Sequence, residues 1–239
     1  MSSASYRQVI GSQDAPFSNL LARGGAWFTN AYAVARPAAP NYFALFSGDT
    51  YNLTSDACPH PFRGPNLATQ LVAQRLSFTS YAEGLPAPGS RACRHSPYAT
   101  AHNPPAAFAN VPPSMLAEGT AFGTDFASLP AVSFVVPDDN NSMAGGDITG
   151  GDAWLRTEIA GYAAWATTHR SLLVVTWDQA SPNDPTNHIP MLALGTGVRV
   201  GPVAQRVDHY SVLATIEDAF GLGRLGHAAG ADAIATLGG

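Results

Sequence analysis

The sequence predicts an α/β fold with a mostly parallel sheet sandwiched by helices, on three observations. Two continuous apolar, β-branched runs, Ala131–Val136 and Ser171–Trp177, have the composition of strands buried on both faces. Between them lies a stretch with helical spacing of apolar residues, and strand and helix patterns alternate along the rest of the chain. No second domain and no internal repeat is visible, so residues 1–239 are expected to form one domain.

Taken in order, Pro16–Ala22 reads as a short helix and Ala26–Ala33 as an aromatic-rich strand. A helix starts near Pro40, where proline suits a first turn, and stops at Gly48. Asn66 is the expected cap of Leu67–Arg75, in which Leu67, Leu71 and Val72 share a face. Ser77–Tyr81 is a short strand, followed by a stretch from Gly84 to Ser114 rich in Pro, Ala and Gly, the composition of a long functional or capping loop. Asp152 is the expected cap of a helix reaching His169, with Trp154, Leu155, Ile159, Tyr162 and Trp165 inward. Met191–Leu194 is a further strand, and Tyr210–Phe220 the last helix, closed by Gly221.

Composition narrows the function. A hydrophobic share of 46% suits a sizeable core, and the net charge of −5 with no basic cluster argues against a nucleic-acid surface. All 12 cations are arginine, so lysine-based covalent chemistry is excluded. No apolar run approaches the roughly 20 residues of a membrane span. The N-terminus has no secretory pattern, so the expected location is cytoplasmic. Cys58 and Cys93 are compatible with a disulfide or with two free thiols.

In open α/β sheets ligands gather at the carboxyl ends of strands. Polar clusters stand at such places: Arg36–Asn41, Asp138–Asn141 and Asp178, with Asp208–His209 at the entrance to the last helix.

At these clusters the chain resembles the bacterial phosphoesterase family that includes acid phosphatases and non-specific phospholipases C. The matching stretches are residues 5–11 (SYRQVIG), 40–48 (PNYFALFSG), 65–71, 80–86, 102–104 (HNP), 134–137 (FVVP), 151–155, 172–178 (LLVVTWD), 187–190 (NHIP) and 208–226. The resemblance implies an alkaline-phosphatase-like three-layer α/β/α sandwich. It also exposes departures. Where relatives carry a Glu-Asn pair, this chain has Ser2 and Ser3. Where they carry a nucleophilic Ser or Thr, it has Ala38, preceded by Arg36-Pro37 in place of His-Pro. Their Asp-Met-His-Asp run is Ser142-Met143-Ala144-Gly145, and an acidic pair is half kept as Asp178-Gln179.

A methyl group cannot attack phosphorus, and hard cations need several oxygen or imidazole ligands. The sequence expectation is therefore a repurposed enzyme without metal or other cofactor. In it Asp178, His209 and His102 perform acid–base chemistry on a small molecule, of the isomerisation, elimination or cyclisation type. Asn41, Arg36, Asp138 and His188 would bind that substrate, with Arg36 suited to an anion. The alternatives are a metal-dependent phosphate-ester hydrolase with a rebuilt site and a non-catalytic binding protein. Asp139 reads as a solvated loop acid.

Overall fold

The computed structural model describes residues 1–58 and 61–235. Along the chain run helices and strands α1 (Tyr6–Val9), α2 (Pro16–Gly24), β1 (Ala26–Phe28), α3 (Ala38–Ser47), α4 (Leu67–Ala73), β2 (Phe78–Ala82), β3 (Arg94–His95), β4 (Tyr98–Ala99), β5 (Leu116–Glu118), β6 (Val132–Val136), α5 (Ile148–Ala166), β7 (Leu172–Thr176), β8 (Met191–Gly195), β9 (Gly201–Val203) and α6 (His209–Ala219). They fall into two compact units: Met1–Val34 with Asn140–Asp208 and the segment from Ile234, and Ala35–Asp139 with His209–Ala233.

The first unit holds a sheet ordered β7-β8-β1-β9. The ladders β7–β8 and β8–β1 are antiparallel and β1–β9 is parallel. The strand expected over Ala26–Ala33 is shorter, because its ladder with β9 stops at Phe28↔Val203. Beyond a turn at Thr29–Asn30 the pairing survives only as isolated bridges, Ala31↔Val207 and Tyr32↔His188.

Helix α5 begins earlier than expected, and its cap is Asp147, whose carboxylate accepts from Gly150 N–H at 2.8 Å. Asp152 lies inside the helix, 2% exposed, and caps a different one. Pro16 opens α2 without a donor and Ala15 before it has no side-chain acceptor, so the free N–H groups of the first turn need a partner from outside. Asp152 supplies it, accepting from Phe17 N at 2.7 Å, Ser18 N at 2.8 Å and Ser18 Oγ at 2.6 Å. The buried stripe of α5 is Gly151, Asp152, Leu155, Ile159, Ala163 and Ala166. Trp154, Tyr162 and Trp165, expected inward, are only half-buried, because indole and phenol rings are too wide for a face this closely packed.

The second unit is built on the parallel sheet β5-β2-β6, with Phe78↔Val132 to Ala82↔Val136 in register. Its core joins Phe43 and Phe46 of α3, Leu67 and Leu71 of α4, Phe78, Phe108 and Leu213. Helix α3 starts two residues before Pro40 and ends at Gly48, whose φ of 73° is the left-handed closure that glycine permits. A Cβ there would also stand 2.2 Å from the Leu225 carbonyl oxygen, so the closure and the close approach both require glycine. Asn66 caps α4 as expected, accepting from Thr69 N at 3.0 Å while Thr69 Oγ1 accepts from Asn66 N at 3.1 Å.

The stretch after Gly84 is ordered by specific ties. Cys58 and Cys93 form a disulfide, and Arg91 donates to the carbonyls of Ala106, Phe108 and Val111. Strands β3 and β4 form a small antiparallel hairpin.

Glu217 on α6 is fully buried. Its Oε1 accepts from Leu225 N at 2.9 Å, while its Oε2 and the Oε1 of neighbouring Gln70 have no hydrogen-bond partner. Burial pushes the carboxyl up to about 7, against the opposing effect of the Leu225 N–H. A carboxyl raised in the fold adds stability below its unfolded value near 4.5, and that contribution is lost as pH rises through about 7. Glu217→Gln, which mimics the protonated acid, is expected to leave stability unchanged at pH 4.5. At pH 8 it should raise it by about 3 kcal/mol in urea unfolding monitored by circular dichroism.

Candidate active site

In the second unit the carboxyl ends of β2 and β6 present Glu83 and the pair Asp138–Asp139, where an open α/β sheet collects ligands. Asp138 is buried, and its backbone N–H donates to Glu83 Oε2 at 2.9 Å. Asp139 is not the solvated acid expected. Its Oδ2 lies 2.7 Å from Arg94 Nη2 and its Oδ1 lies 3.5 Å from His102 Nδ1. The second distance is long for a hydrogen bond and is an ion-pair contact when the imidazole is charged. His102 is 8% exposed and its ring stacks on Tyr42, centroids 5.3 Å apart.

The HNP motif explains how His102 is held. Asn103 is fully buried, accepting from Ser80 Oγ on β2 at 2.8 Å and donating to the Tyr98 hydroxyl at 3.3 Å. Pro104 opens the next 3-10 turn. His102 Nδ1 is buried without a hydrogen-bond partner, and the carboxylate oxygen facing it is Asp139 Oδ1.

At the start of α3, Ala38 is the first helical residue, and the N–H of Ala39 donates to Asp56 Oδ1 at 2.7 Å. Asn41 is buried and serves the loop ahead of the helix. It accepts from Ala35 N at 2.9 Å and donates to the carbonyls of Ala35 and Pro37, both at 2.9 Å. Arg36, on that loop, is exposed. His209 is the first residue of α6 and buried at 1% exposure.

In the first unit, Asp178 is 4% exposed and its Oδ1 accepts from Ser3 N at 3.2 Å. Ser3 Oγ lies 3.2 Å from Ser2 Oγ and accepts from Gln179 Nε2 at 3.2 Å, and Ser2 N donates to Ser142 O at 2.7 Å. Ser3, Met143 and Asn187 hold φ of 53°, 75° and 57°, strained for residues with a side chain. His188 stacks with Tyr6 (4.5 Å) and with Tyr32 (5.0 Å), and the Arg206 guanidinium lies over the Tyr32 ring at 4.6 Å. Burial holds its imidazole below the usual range, partly opposed by Asp184.

Among the described residues no three His, Cys, Asp or Glu side chains gather to hold a metal ion. The cluster at Asp178 offers one carboxylate with neutral hydroxyl and amide groups, a donor set that does not fit a divalent cation.

The sequence matches the phosphoesterase family over residues 4–223. The chain belongs to the phosphoesterase family. A phosphatidylinositol-3-phosphatase from Mycobacterium tuberculosis is 41% identical over 236 residues, covering 98% of this chain and 79% of that relative. An acid phosphatase from Aspergillus fumigatus is 29% identical over 226 residues, and this chain spans 51% of its length. Among solved structures, a protein in the alkaline phosphatase superfamily from Vibrio parahaemolyticus has a TM-score of 0.64 at 14% identity, over 94% of this chain and 66% of that one. A phosphonate monoester hydrolase from Silicibacter pomeroyi has a TM-score of 0.58 at 14% identity, over 98% and 74%. The fold is thus α/β and alkaline-phosphatase-like, as expected.

The functional expectation needs correction. The phosphoesterase relatives named here are phosphatases, which contradicts an isomerising, eliminating or cyclising catalyst that has lost phosphatase chemistry. That expectation counted groups missing at residues 2, 3, 38, 142, 144, 145 and 179. Ala38 removes one hydroxyl, but the second unit still sets His102 against the Asp139 carboxylate and the Glu83 carboxylate against the Asp138 backbone N–H.

Proposed function

We propose that the protein is a hydrolase of phosphate monoesters, carried chiefly by its 41% identity, over 98% of its length, with a phosphatidylinositol-3-phosphatase. His102 is the group assigned to proton transfer. As an imidazolium it directs Nδ1–H at Asp139 and offers Nε2–H to the oxygen of the departing alcohol. Protonating that oxygen matters because the transition state for phosphoryl transfer is loose and places charge on the leaving group. Position 38 offers no oxygen, so the phosphoryl group passes to water. Exposed Arg36 supplies a forked cation for the phosphate, on a loop that Asn41 secures. Asp138, Asp178, His188 and His209 enter as substrate-site groups of their own units, with no chemical step assigned.

The substrate is a small phosphorylated molecule, and a phosphorylated lipid headgroup belongs to that class. No helix among the described residues is long and apolar enough to cross a membrane. The Cys58–Cys93 disulfide supports an oxidising compartment in place of the cytoplasmic expectation.

The test is release of p-nitrophenol from p-nitrophenyl phosphate by the purified chain, with added magnesium, calcium or zinc and with a chelator. Release above that of an identically prepared His102→Gln variant is expected. No release under any of these conditions overturns the reading.

A further inference from the structure

We propose that Asp139 is a positioning residue for His102, fixing which ring nitrogen faces substrate, and that Arg94 holds Asp139 for that role. This rests on the reading of His102 as the proton-transfer group. The backbone around His102 is pinned on both sides. Ahead of it, the β3–β4 hairpin pairs Arg94 with Ala99, and Thr100 N donates to Cys93 O at 3.1 Å. Behind it, Asn103 is anchored to Ser80. The ring plane is fixed by Tyr42. What these contacts leave open is the tautomer: Nδ1 is buried without a hydrogen-bond partner, and the carboxylate facing it, at 3.5 Å, is that of Asp139.

Asp139 is itself held at three points. Its N–H donates to the Pro97 carbonyl at 3.2 Å, its Oδ2 meets Arg94, and its Oδ1 faces the imidazole. Residues 94, 97 and 102 belong to the hairpin and the turn that follows it, so one small element carries both the histidine and the clamp on its carboxylate. The disulfide at Cys93 anchors the residue next to Arg94 to Cys58. The Arg94 side chain is 65% exposed, so its ion pair adds little to stability. Its consequence is orientation. Serine hydrolases use the same logic, a carboxylate selecting the imidazole tautomer.

The experiment combines kinetics with the ¹⁵N chemical shifts of the neutral His102 ring, in the wild-type chain and in D139L, D139E and R94Q. The wild-type ring is expected in the Nδ1–H tautomer, and D139L mostly in the Nε2–H form preferred by free imidazole. In D139L, kcat for an alkyl phosphate monoester should fall about tenfold to a hundredfold with KM within about twofold. D139E should recover much of the loss and R94Q should lie between. Thermal melting of D139L and R94Q reports folding. A wild-type ring already in the Nε2–H form, or one unchanged in D139L, overturns the proposal. A tautomer change in a protein that releases no phosphate supports the positioning role and defeats the hydrolase reading instead.

Discussion

Replacing His102 with glutamine is expected to lower kcat/KM for a phosphate monoester by about a hundredfold to a thousandfold, with KM nearly unchanged. Glutamine keeps polarity and much of the volume against Tyr42 but cannot deliver a proton to the departing oxygen. The loss corresponds to about 3–4 kcal/mol of transition-state stabilisation. A substrate whose alcohol is already a good leaving group, such as p-nitrophenol, should lose less than an alkyl phosphate. Comparing the two esters on the same variant checks that the lost step is protonation of the leaving group. Equal losses would point to another role for the ring.

The largest expected loss of stability comes from Asp152→Ala, at about 3–5 kcal/mol in urea unfolding. The carboxylate is 2% exposed and accepts three hydrogen bonds, from Phe17 N, Ser18 N and Ser18 Oγ. Deleting it strands two N–H groups of the α2 first turn away from water. Caps of this kind are worth about 1 kcal/mol at surfaces, and more where the donors are buried. Asp152→Asn keeps an acceptor and should cost roughly half as much. A loss below about 1 kcal/mol for the alanine variant would mean that water replaces the carboxylate.

Asp152 marks the limit of what the sequence makes legible. Local patterns were legible: the apolar runs that became β6 and β7, the Asn66 cap, and the glycine closing α3 all lie within a few residues of what they determine. In the sequence Asp152 has the signature of a cap of its own helix, an acid before an apolar period. Its actual partners lie about 134 residues away, where periodicity carries no information. Strand β1 is shorter than its aromatic-rich run because its end depends on β9.

The site follows the same division. His102 and Asp138 were visible as polar residues in family-like motifs, and the structure sets them in one unit with the turn that carries Asp139. Asp139 reads from sequence as a solvated loop acid because its contacts come from Arg94 and His102, 45 and 37 residues away. The one available hint was a second acid following a buried strand. The functional reading failed for a related reason. It counted oxygens lost from a known pattern, and such a count does not register groups the fold has placed together.

The most direct test of the account is the fate of oxygen during turnover. The purified chain is incubated with an alkyl phosphate monoester in ¹⁸O-enriched water, and the released phosphate is examined by ³¹P NMR beside a His102→Gln control. The account predicts inorganic phosphate carrying one solvent oxygen, formed about a hundredfold faster than in the control. Absence of labelled phosphate, or equal rates in both proteins, would contradict it.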